Sequence, residues 1–74
     1  MVNVNKLKGR VKEKELNIKS LSEKTGIEVT RLYRRFKDPA QFTIAEVDSI
    51  VFVLGLSAED AIDIFLPLQS HKSD

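Results

Sequence analysis

Thr30, Arg31, Tyr33, Arg34, Arg35 and Lys37 stand close together in the stretch VTRLYRRFK of a 74-residue chain. These side chains supply no paired base and nucleophile and no metal-ligand set. They supply cations, two hydroxyls and an aromatic ring. A guanidinium is a planar fork of donors that grips two acceptors at once, on a guanine edge or on a phosphate. An ammonium serves phosphate as a point charge. The chemistry on offer is reversible binding to a polyanion whose bases carry information. A different use of the same residues is simple solubility, since arginines on a short helix also keep a surface wet.

The elements around this stretch decide between the two. Leu32 and Phe36, four residues apart, share one side of a helix and point inward. At about 100° per residue, Thr30, Arg34 and Lys37 then point most nearly outward, with Arg31 and Arg35 on one flank and Val29 and Tyr33 on the other. Arg34 suits a bidentate contact to guanine, and Thr30 suits a base edge or a thymine methyl. Arg31, Arg35, Lys37 and the Tyr33 hydroxyl suit phosphates, which set register without reading sequence. Upstream, Asn17 caps a short helix in which Leu21, Ser22 and Thr25 share a face, and Gly26 supplies the left-handed exit before Ile27. Two short helices joined by a glycine turn make a helix-turn-helix, whose second helix enters the major groove of DNA.

The formal net charge of +1 hides an uneven distribution: residues 1–37 carry +7 and residues 38–74 carry −6. Asn3 and Asn5 are candidate caps for a first helix running to about Glu15, with Leu7 and Val11 as its apolar pair and Val4 and Leu16 packing at its ends. Lys6, Lys8, Arg10, Lys12 and Lys14 fill its other positions, as a solvated face or as phosphate contacts. Gly9 in its middle costs about 1 kcal/mol against alanine and leaves room for another backbone. Glu28 or the turn itself caps the third helix, which Asp38-Pro39 ends. Thr43-Ile44-Ala45-Glu46 has the form of a capping box, with Phe42 before it as a staple. The fourth helix carries Ile44, Val47, Ile50, Val51 and Leu54 as its inward stripe and stops at Gly55; residues 50–54 alone would also suit a strand, but the box and the glycine favour helix. A fifth helix follows Ser57, with Ala58, Ala61, Ile62 and Phe65 as its stripe and Pro67 as its stop. The expectation is an all-α domain of five helices over residues 1–68, with a flexible polar tail at 69–74.

Several functions find no support. His71 lies in the tail, away from any ligand or base partner, and Glu59, Asp60 and Asp63 at a helix start are simplest as partners of the helix dipole. The chain has no cysteine and no glycine-rich phosphate loop. No enzyme activity, cofactor, metal or small-molecule substrate is expected. No run approaches the roughly 20 apolar residues of a membrane span, and the polar, basic N-terminus lacks the apolar core of a signal peptide. Without cysteines the composition is compatible with a reducing cytoplasm, which is the expected location.

The segments NKLKGRVKEK (5–14), LSEKTGI (21–27), RLYRRF (31–36), QFTIAEVDSI (41–50) and LGLSAEDAIDIF (54–65) carry a family resemblance. Over about residues 2–66 the chain resembles the phage Cro/repressor-type helix-turn-helix family (XRE-like), in particular small Cro-like or modulator-of-repression proteins of temperate phages of Gram-positive bacteria. The resemblance implies a compact lambda-repressor-like fold, recognition through the third helix, and dimeric binding to operator half-sites. The implied role is that of a Cro-like transcription regulator in a lysis/lysogeny switch within a bacterial host cell. Ile18, Ser22, Glu28, Val29, residues 37–40 and Phe52 depart from the family's usual glutamine, alanine, serine or threonine, polar residue, Asn-Gly-Lys-Arg and lysine. The departures at Ile18, Glu28, Val29 and Phe52, together with the acidic second half, give a second expectation: an antirepressor that captures the phage repressor in a heterocomplex, with weak or no DNA binding of its own. Its surface would include Phe52, Val53, Ile64 and Leu66, with Leu68 nearby; the same residues alternatively pack between the last two helices.

Overall fold

The computed structural model describes residues 2–66, which run through α1 (Val4–Glu13), α2 (Ile18–Thr25), α3 (Val29–Lys37), a single 3-10 turn (Pro39–Gln41), α4 (Ile44–Leu54) and α5 (Ala58–Phe65). Short polar side chains start four of these helices by accepting hydrogen bonds from first-turn amides. Asn3 accepts from the Lys6 N–H, Asn17 from Ser20, Thr43 from Glu46 and Ser57 from Asp60. Ser20 and Glu46 reach back to the Asn17 and Thr43 amides and complete two capping boxes. Gly26 and Gly55 end α2 and α4 in the left-handed conformation, at φ of 78° and 63°. The first helix stops at Glu13, two residues earlier than expected, because Glu15 itself turns left-handed at φ 58°.

Leu7, Leu21, Leu32, Ile50, Leu54 and Ile64 are fully buried, so all five helices send a side chain to one centre. Each such burial contributes about 1.5–3 kcal/mol. α2 packs against both α3 and α4, and α1 packs against α5. The Asn3 N–H donates to the Ile64 carbonyl (2.8 Å), which ties the start of the described chain to the end of α5. Phe36, Phe42 and Phe65 meet edge to face, with ring centres 6.2 and 5.9 Å apart.

Two inward stripes differ from the sequence pattern. In α4 the buried line is Glu46, Ile50 and Leu54, and Ile44 lies roughly 120° around the helix from Ile50, in solvent. In α5 the buried pair is Ile64 and Phe65, leaving Ile62 out at 53 % exposure against 1 % for Ile64. Apolar residues at 61, 62, 64 and 65 satisfy either choice locally, and the packing against α1 selects one. Gly9 meets no close backbone: a Cβ built there has nothing within 4 Å. Pro67, Leu68, His71 and the tail at 69–74 lie outside the described residues.

Candidate nucleic-acid interface

The turn before α3 is held by two hydroxyls. Thr25 donates to the Leu21 carbonyl (2.8 Å) and accepts from the Ile27 N–H (3.2 Å), while Ser22 donates to the Ile27 carbonyl. The Gly26 N–H donates to the Ser22 carbonyl (2.9 Å), and the Ile27 side chain is buried. The serine hydroxyl at the crowded α2–α3 joint therefore has its partner, and the direction in which α3 leaves α2 is fixed. Glu28 occupies the cap position of α3 without a side-chain cap bond.

Leu32, with no exposure, sets the rotation of α3 about its axis. Thr30, Arg31, Tyr33, Arg34 and Lys37 are exposed in consequence, along one outward surface. Arg35 is not among them. Its Nε donates to Glu46 Oε1 at 2.8 Å and its Nη2 to Oε2 at 3.3 Å, and its side chain is 18 % exposed where that of Arg31 is 57 % exposed. Arg35, expected at a phosphate, is here paired with Glu46 and fastens α3 to α4. Glu46 Oε1 also accepts the Thr43 N–H (3.0 Å), so one carboxylate closes the α4 capping box and holds α3. The hydrogen bond from Arg35 lowers the Glu46 carboxyl below the usual glutamate range; burial opposes this, and the Thr43 N–H adds to it. The same hydrogen bond raises the Arg35 guanidinium further. Arg31 Nη1 stands at the edge of this pair, 3.8 Å from Glu46 Oε2.

The basic face of α1 divides. Lys6 pairs with Asp63 and Arg10 with Asp60 (2.8 Å), which clasps α1 to the acidic α5, and Arg10 also stands 3.7 Å from Glu13 of its own helix. Lys8 and Lys12 instead border a groove shared with Tyr33 and Lys37 of α3. The basic surface therefore continues from α3 onto α1, a link that no local spacing reveals. The apolar residues expected at a protein interface also divide. Phe52 is 85 % exposed and Leu66 is exposed, whereas Val53 is half-buried against the core and Ile64 is within it. Ile44 and Ile62, expected inside, are exposed instead.

A basic, exposed helix set behind a glycine turn and keyed by its own leucine defines a helix-turn-helix DNA-binding domain. Residues 6–65 match the family model of the Cro/C1-type HTH DNA-binding domain, and the chain belongs to that family, whose members are DNA-binding transcription regulators. No curated protein and no solved structure matches it. No helix among the described residues is long and apolar enough to cross a membrane.

Proposed function

We propose that this domain regulates transcription in a phage genetic switch by docking α3 in the major groove of operator DNA. The carrying observation is the exposed face formed by Thr30, Arg31, Tyr33, Arg34 and Lys37 on a helix whose azimuth Leu32 fixes. Arg34 and Thr30 read base edges; Arg31, Lys37 and the Tyr33 hydroxyl hold phosphates. Two copies spaced by one turn of DNA, about 34 Å, read a palindromic site. Selection of duplexes from a random pool by the purified chain, followed by gel shift at low salt, tests this. Recovery of a two-fold-symmetric site is expected. Absence of any retained duplex at about 50 mM salt, where non-specific phosphate contacts are strong, would sink the proposal.

Phe52 favours a second reading. An aromatic ring with 85 % exposure on α4, with Ile44, Ile62 and Leu66 also exposed, supports a protein contact: a homodimer, or a heterocomplex with a phage repressor whose operator binding it then blocks. The mass in solution, alone and mixed with the repressor, distinguishes these. A repressor whose operator affinity is unchanged by this chain removes the antirepressor role.

A further inference from the structure

We propose that the groove between α1 and α3 is a docking site for an acidic amphipathic helix of a protein partner. The groove has a volume of about 480 Å³. Val11, Leu16, Ile18 and Phe36 form its apolar floor, and Lys8, Lys12 and Lys37 stand exposed around it. Among the described residues no carboxylate lines it, and none of these lysines has a carboxylate partner within 4 Å.

Two chemistries meet in this groove, and most occupants satisfy only one. A phosphate chain answers the lysines but gains nothing from a hydrocarbon floor. An apolar segment fills the floor but leaves the ammonium groups without anions. A helix with apolar residues at i and i+4 flanked by Glu or Asp answers both. Lys8 and Lys12 are four residues apart on α1, a rise of about 6 Å, which matches carboxylates at i and i+4 on a helix lying alongside. Ile18 points the same way. It is the first residue of α2, a position where proline and acidic residues are favoured, and its half-buried side chain completes the floor.

Tyr33 and Lys37 belong both to this groove and to the outward face of α3. Resting on the DNA-docking proposal above, an occupied groove therefore excludes DNA, and the partner switches the regulator off.

The test uses the full chain and a fluorescein-labelled acidic helical peptide of about 18 residues, long enough to hold a helix, with leucines at i and i+4 and glutamates elsewhere. Saturable anisotropy is expected, with amide shifts at Leu16, Ile18 and Phe36. The double variant K8E/K12E, altered only at exposed positions, is expected to weaken binding about tenfold or more. Ile18→Gln is expected to weaken it about fivefold. A control peptide with every leucine replaced by serine keeps the charge and is expected to bind far more weakly. Equal binding by that control would mean polyanion attraction only and overturns the proposal. Parent-like binding by K8E/K12E, or shifts centred on Phe52, Ile62 and Leu66, overturns it as well. Peptide binding needs no DNA, so a chain that takes the peptide but no duplex retains the groove and refutes the operator proposal alone. A ternary complex of chain, peptide and duplex overturns the exclusion.

Discussion

The four cations of α3 differ in how they are held, and a salt titration of DNA binding separates them. Arg31, Arg34 and Lys37 are exposed, whereas Arg35 is bonded through two nitrogens to Glu46. Each phosphate neutralised on B-DNA adds about −0.9 to the slope of log Kobs against log salt. Arg31 and Lys37, the two cations placed at phosphates, give α3 a contribution of about −1.8 per protomer, or about 12-fold in affinity between 50 and 200 mM salt. Lys37→Ala is expected to reduce this to about −0.9, or about 3.5-fold over the same range. Arg35→Gln is expected to leave the slope where it was. Lys8 and Lys12 add the same offset to every variant, so the differences between variants carry the information. The assay is anisotropy of one labelled duplex across a potassium chloride series, at a temperature where circular dichroism shows each variant folded. A slope lowered as much by Arg35→Gln as by Lys37→Ala would mean that Arg35 leaves Glu46 for DNA, and would refute its role as a fastener.

Other outcomes follow from packing, titration and backbone geometry. Ile64→Ala is expected to cost about 2–5 kcal/mol in urea unfolding and Ile62→Ala under about 1 kcal/mol; the reverse order would mean that α5 is rotated about its axis. Arg34→Ala is expected to lose about 1–3 kcal/mol on the selected duplex and to relax preference at one base step, read by binding to single-base variants of the site. The folded-state value of the Glu46 carboxyl is lowered, so its contribution is complete above the ordinary value of about 4.3 and is lost as pH falls from there through the folded value. Glu46→Gln is therefore expected to lose less stability than the parent across that acid window, and an identical acid loss in both would contradict the assignment. Gly9→Ala is expected to raise unfolding stability and Gly26→Ala to lower it, by about 1 kcal/mol each in urea unfolding. Neither new Cβ meets an atom within 4 Å, but only Gly26 has a positive φ.

What could be read from the sequence was chemistry within about one helical turn. Asn17, Thr43 with Glu46, Ser57, Gly26 and Gly55 mark helix ends through bonds to neighbours three or four residues away, and those ends lie where their chemistry puts them. Leu32 keyed the recognition helix for the same reason, because its own turn decides which side faces in. Choices between rival apolar faces were not legible. In α5, Ile62 and Ile64 compete on equal local terms, and the packing of α5 against α1, with Lys6 and Arg10 paired to Asp63 and Asp60, sets Ile64 inward. The Arg35–Glu46 bond joins residues eleven apart across a helix, a turn and a second helix start. A buried Glu at the third position of a capping box carries a partial signal for it, since such a carboxylate has acceptor capacity beyond the cap. The meeting of Lys8 and Lys12 with Lys37 needs the assembled core and has no sequence signature.

Glu46 also bears on how such a regulator changes its target. The contacts that hold α3 in place, Leu32 to the core and Arg35 to Glu46, all leave from one side of the helix. The side chains of residues 30, 34 and 37 leave from the other and, among the described residues, make no hydrogen bond or ion pair. On the docking proposed for α3, substitutions at those positions rewrite what is recognised without disturbing what is folded, so a lineage carrying this domain would drift from one operator to another by single steps. Position 35, one residue from the reading face, is closed to that drift.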